Sequence, residues 1–259
     1  MLSLIERRLV YPVPPLHSGD WNPADLDFED VALQAADGTR LHGWYVPHPH
    51  PRAQVLYCHG NGEQVAFLKN RLKVLHERSS LAVFAWDYRG YGKSEGQPHE
   101  RNIVPDAAEA LRWVARRGGV DPSEVIVIGR SLGGAVGAAL AGEEPIGGLV
   151  LDRTFAKLTE TAAYHYPWLP VRRLMQNRFA SIESIQRYHG PLLQSHGTED
   201  EIVPIAMGRE LFEAAPSREK RFIEVPGLDH REGLPEYCYE ALDEFVTLCG
   251  SARRNGAAG

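Results

Sequence analysis

Three residues of the types needed for nucleophilic acyl chemistry stand along this chain in the order Ser131, Asp200, His230. A serine hydroxyl is a poor nucleophile at neutral pH and needs a base within hydrogen-bond reach. A histidine serves when a carboxylate holds it in one tautomer and stabilises the imidazolium as it forms. Ser131 lies in Gly129-Arg130-Ser131-Leu132-Gly133, a G-x-S-x-G match in which β-formers stop and small helical residues begin. A serine on so tight a corner leaves no space for side chains two positions to either side, so glycine is required at both. Of eleven histidines, only His230 follows the final strand-like segment and an acid-bearing loop.

Around this trio other groups take supporting parts. A tetrahedral oxyanion needs donors fixed in advance. One is expected at the N–H of Leu132, directly after the serine at a helix start, where the dipole also favours negative charge. The second is expected at Asn61 in His59-Gly60-Asn61-Gly62, where the glycines let backbone approach substrate closely. The Asn61 side chain has the alternative role of only holding its loop. Residue type alone leaves the acid open, because Glu199, Asp200 and Glu201 are consecutive and Asp152 is a rival on the neighbouring strand. A short, rigid carboxylate favours Asp200, with the glutamates as a solvated edge. His59 and His196, each followed by glycine, are read as residues that orient loop backbone.

These side chains need a frame that brings distant loops together. "FEDVALQAA" and "TRLHGWYVP", joined at Asp37-Gly38, read as an opening antiparallel hairpin. Strand-like "AQVLYCHG", "LAVFAWDYRG", "VIVIG", "GGLVLD", "PLLQSHG" and "KRFIEVPG" then alternate with helical stretches. Helices are expected over Glu63–Arg78, about Val104–Arg117, from Leu132, about Ala206–Ala215 and Leu234–Cys249. Such alternation argues for a mostly parallel sheet covered on both faces, with ligands outside the carboxyl ends of the strands. One segment breaks it: residues 153–190, rich in aromatics and arginine, read as a small helical cap. Its Tyr164, Tyr166, Trp168 and Phe179 either pack the cap or line an apolar acyl site. The tail 251–259 reads as disordered.

Composition narrows the classes. A 259-residue chain with 43% hydrophobic and 24% charged residues fits one large soluble domain spanning 1–259. A formal charge of −6 with scattered basic residues gives no electrostatic reason to expect nucleic acid. Cys58, Cys238 and Cys249 fit a reducing compartment and offer neither a disulfide framework nor metal spacing, so a cytoplasmic enzyme is expected. No metal, cofactor or dinucleotide fingerprint is read from the chain.

"YCHGNG", "DYRGYGKSEG", "GRSLGGA", "HGTEDEIVP" and "PGLDH" resemble, in order and over nearly the whole chain, the α/β-hydrolase superfamily, in its BEM46-like or serine aminopeptidase-type branch. The resemblance implies an α/β-hydrolase fold of about eight strands with an antiparallel opening hairpin. It places the acid at Asp200 rather than Asp152 and makes Asp87 structural. Two positions depart from the pattern. Asp152-Arg153-Thr154 stands where an acid followed by serine is usual, which sets the charge of Arg153 toward the site. Arg231-Glu232 replaces an asparagine after the histidine. Many relatives carry an N-terminal membrane anchor; here "MLSLIERRLVYPVPP" leaves room for a weak peripheral membrane contact. The expected activity is hydrolysis of an ester or thioester of a small-molecule acyl substrate through an acyl-enzyme. The alternatives are a serine peptidase on small peptides and a non-catalytic interaction protein on the same scaffold.

Overall fold

The runs AQVLYC, LAVFAWD and GLVLD are buried at every position, as strands covered on both faces must be. The computed structural model describes Glu6 and residues 10–256. Its strands are β1 (Glu29–Gln34), β2 (Arg40–Val46), β3 (Ala53–Cys58) and β4 (Leu81–Asp87), followed by β5 (Ile126–Arg130), β6 (Gly148–Asp152), β7 (Leu192–Gly197) and β8 (Lys220–Val225). They form one sheet in the order β1-β2-β4-β3-β5-β6-β7-β8. β2 pairs antiparallel with both β1 and β4, and all other pairs are parallel. The opening hairpin turns at Asp37-Gly38, where Gly38 takes φ +85° and Asp37 accepts the Thr39 N–H at 3.0 Å.

The described helices are α1 (Lys69–Ser79), α2 (Glu100–Gly118), α3 (Leu132–Ala141), α4 (Leu158–His165), α5 (Val171–Leu174), α6 (Ser181–Ile185), α7 (Ile205–Ala214) and α8 (Glu236–Gly256). One face of the sheet is covered by α1 and α8 through Leu72, Leu75, Ala241 and Phe245. The other is covered by α2, α3, α6 and α7 through Ala107, Leu111, Val136, Ile185 and Leu211. The fold is therefore α/β, a mostly parallel eight-stranded sheet with an antiparallel edge and helices on both faces.

Several expected boundaries move. α2 begins at Glu100 rather than near Val104, because His99 caps it: its side chain accepts the Arg101 N–H while Asn102 reaches back to the His99 N–H. The stretch before α1 forms a separate 3₁₀ turn, Val65–Phe67. The final helix continues to Gly256, so the tail expected to be disordered starts as helix; 257–259 lie outside the described residues.

The segment read as a cap divides in two. α4 and α5 leave Tyr164, Tyr166 and Trp168 exposed, whereas Phe179 is 2% exposed and belongs to the core with Ile185 and Tyr188. The expected membrane contact falls on Met1–Pro15, of which residues 1–5 and 7–9 lie outside the described residues.

Candidate active site

Ser131 joins β5 to α3 with φ +52° and ψ −117°, a conformation that costs a non-glycine residue about 1–3 kcal/mol. Neighbouring backbone holds it there. Its N–H donates to the Asp152 carbonyl at 2.9 Å, and its carbonyl accepts from Thr154 Oγ1 at 2.7 Å. The flanking glycines are sterically required. A Cβ on Gly129 would run into the Gly133 carbonyl, and one on Gly133 into the Cys58 carbonyl. The second collision locks the corner to the end of β3, where the His59-Gly60-Asn61-Gly62 loop begins.

Three strand ends then deliver the other groups. From the loop after β7, Asp200 accepts the N–H groups of Ile202 (3.0 Å) and Val203 (2.7 Å) on one oxygen. Its other oxygen lies 2.7 Å from His230 Nδ1. A carboxylate only accepts, so Nδ1 carries the hydrogen and Nε2 presents its lone pair. That lone pair lies 3.1 Å from Ser131 Oγ. All three residues are buried, where such contacts are little screened. Glu199 and Glu201 are exposed, so geometry selects Asp200 from the acidic triplet.

Near Ser131, Asn61 divides its functions. Its side chain is committed to the loop, donating to the Val10 carbonyl at 2.6 Å and accepting from Tyr91 Oη at 2.8 Å. The backbone N–H groups of Asn61 and Leu132 have no acceptor among the described residues. His59 and His196 are both fully buried and brace loops. His59 donates to the Gly60 carbonyl at 2.8 Å and stacks on Tyr88 at 4.1 Å between centroids. His196 donates to the Val203 carbonyl at 2.7 Å, beneath the Asp200 loop. Burial pushes both imidazoles below the ordinary histidine range, which keeps them neutral.

Asp152 does not reach His230. It takes two bonds from Arg153, at 2.9 and 2.8 Å, and one from Ser195 Oγ at 3.2 Å. Burial opposes its charge, but Arg153, Arg130 and Arg71 together outweigh it and hold the carboxyl below its ordinary range. The expectation that Arg153 directs charge at the site is corrected. Its remaining nitrogen donates to the carbonyls of Asp229 (2.9 Å) and Glu232 (2.8 Å). Arg130 donates to the His230 carbonyl itself at 2.5 Å and to Glu63 at 3.3 Å, and Glu63 accepts the Gly60 N–H at 2.7 Å. Two arginines thus hold the histidine loop by three carbonyls, and one reaches the loop bearing Asn61. Sequence reading passes over Arg130 and Glu63. The available signal is a pair of charged residues at the ends of buried strands, where a charge must find partners.

Comparison with known proteins agrees with this frame. A family model described as "serine aminopeptidase, S33" matches residues 49–183. An uncharacterized protein of Mycobacterium tuberculosis is 39% identical over 250 residues, covering 94% of this chain and 84% of its own length. The α/β-hydrolase domain-containing protein WAV2 of Arabidopsis thaliana is 32% identical, covering 90% and 83%. A Saccharomyces cerevisiae relative, 27% identical over 93% of this chain and 88% of its own, is named an uncharacterized membrane protein. Among the described residues here, no helix is long and apolar enough to cross a membrane. An esterase of Pyrococcus furiosus shares the fold with a TM-score of 0.75 at 20% identity, over 91% of this chain and 98% of its own.

Proposed function

The chain belongs to the α/β-hydrolase superfamily, and from that premise we propose that it is a serine hydrolase cleaving an ester or thioester through an acyl-enzyme. One observation carries the reading: His230 spans from Asp200 at 2.7 Å to Ser131 Oγ at 3.1 Å. Ser131 Oγ attacks the acyl carbon while His230 Nε2 takes its proton. The oxyanion draws on the N–H groups of Leu132 and Asn61. The imidazolium, stabilised by Asp200, returns the proton to the departing alcohol or thiol. A water deprotonated by His230 then attacks the acyl carbon, and the acid leaves as Ser131 recovers its hydrogen.

The name of the Pyrococcus furiosus neighbour favours esters. The family description favours a second reading, cleavage of an amide in small peptides by the same steps. Work in the cytoplasm on a small-molecule acyl substrate completes the proposal, resting on the sparse cysteines and the absence of a basic face in the sequence.

The test is hydrolysis of a chain-length series of nitrophenyl esters, with aminoacyl nitroanilides as the amide arm, by the wild type and Ser131→Ala. The expected result is turnover on the ester arm that falls at least about 10³-fold in the variant. Equal rates would remove Ser131 as nucleophile. Turnover confined to nitroanilides would replace esterase with peptidase.

A further inference from the structure

A cavity of about 360 Å³ lies on the sheet face opposite α3, between the sheet, α1 and α8, and none of Ser131, Asp200 or His230 lines it. Its polarity runs along the strands. Residues two apart on a strand share a face and lie about 6–7 Å apart. On this face Ile128, Val150 and Leu193 are followed by Arg130 and Asp152 at the carboxyl ends of β5 and β6 and by Ser195, beside Asp152 in β7. Val74 and Leu242 continue the apolar wall, while Tyr57 and Arg71 join the polar end.

At that polar end donors outnumber acceptors. Both oxygens of Asp152 are taken, as are both of Glu63. Arg153 is fully engaged with Asp152 and two carbonyls. Arg130 Nε, by contrast, is buried without a hydrogen-bond partner, standing 3.8 Å from Asp152 Oδ2, within ion-pair but outside hydrogen-bond range. Arg71 lies over the Tyr57 ring, 5.8 Å from its centroid. It uses only one nitrogen, at 3.2 and 3.4 Å from Glu63. Tyr57 is a buried residue, and its hydroxyl has no hydrogen-bond partner among the described residues. Three guanidinium groups face one buried carboxylate, Asp152, and one half-buried, Glu63, and Glu232 at the rim is exposed and holds the Asp229 N–H.

We propose that this cavity is a binding site for an aliphatic carboxylate. The carboxylate head supplies the missing charge and acceptors to Arg71, Tyr57 and Arg130, and the chain lies along Ile128, Val150, Leu193 and Leu242. An ionised carboxyl accepts at two oxygens and suits a guanidinium edge. The volume is within the range of small-ligand sites. The site is separate from Ser131 and stands whether or not the hydrolase reading does.

The experiment is titration calorimetry of sodium octanoate into the full chain and into Ser131→Ala, Tyr57→Phe and Arg71→Met, each checked for folding by thermal melting. Sodium acetate tests the head alone and octanol the chain alone. One octanoate should bind per chain, with equal affinity in the wild type and Ser131→Ala. Tyr57→Phe and Arg71→Met should each weaken binding roughly ten-fold or more, and acetate and octanol should both bind more weakly than octanoate. Should Arg71→Met fail to fold, Tyr57→Phe decides alone, since it removes a single oxygen. The proposal is overturned if millimolar octanoate gives no binding, or if affinity survives in the folded variants. It is also overturned if a phosphonate on Ser131 abolishes binding, which would put octanoate in the catalytic site.

Discussion

The backbone of Ser131, at φ +52° and ψ −117°, is close to the mirror image of an extended conformation. Glycine enters that region freely, whereas a Cβ makes it costly. Ser131→Gly should therefore abolish turnover and raise the unfolding free energy by about 1 kcal/mol, measured by urea denaturation. A lower value would mean that the corner stores no strain. The residue types of this site are legible because each meets a narrow chemical requirement, whether a serine between glycines, a histidine after the last strand or a backbone donor next to the nucleophile. Residue type favours Asp200 over Glu199 and Glu201 but does not fix the choice. The two N–H bonds to Asp200 from Ile202 and Val203 do, by turning one carboxylate inward and leaving its neighbours in solvent. The role of Arg153 is illegible for a similar reason. It depends on carbonyls of a loop 76 and 79 positions away, which no local pattern encodes.

At the scale of elements, the loop carrying His230 is held to β5 and β6 by Arg130 and Arg153 rather than by regular structure of its own. Asp152 orients Arg153, and removing one partner of a buried ion pair costs about 3–5 kcal/mol. Asp152→Asn should lower stability by about that amount and speed amide exchange at residues 229–232, while phosphonate labelling of Ser131 persists. Asp200→Asn should do the reverse, leaving stability closer to the wild type and cutting kcat by about 10⁴. Loss of kcat in Asp152→Asn at unchanged stability would hand Asp152 the role of orienting His230. The parallel strands and opening hairpin are legible from apolar runs and a two-residue turn. The 153–190 segment is less so, since aromatic content does not distinguish an exposed Trp168 from a core Phe179. That depends on which stretch returns to α3, and α6 does so through Ile185.

For the whole molecule, His59 and His196 make stability depend on pH. Both are buried and held below the ordinary histidine range, so between the folded and unfolded values only the unfolded chain binds these protons. Their contribution is complete above the unfolded value of about 6.5 and is lost as pH falls through the folded one. The melting temperature should drop between about pH 7 and 5, and His196→Gln should flatten that drop relative to its own value at pH 8. An unchanged slope in the variant would locate the acid sensitivity elsewhere.

The sheet also fixes when the chemistry can begin. Ser131 sits after β5 and its base after β8, 99 residues later. At a synthesis rate of about 5–20 residues per second, the ribosome needs roughly 5–20 s to cover that interval. During it, Ser131 stands on a nascent chain whose His230 has not been made. In the proposed mechanism the hydroxyl has no base until β8 and the segment after it dock, so a growing chain would gain ester hydrolysis only after His230 has been made.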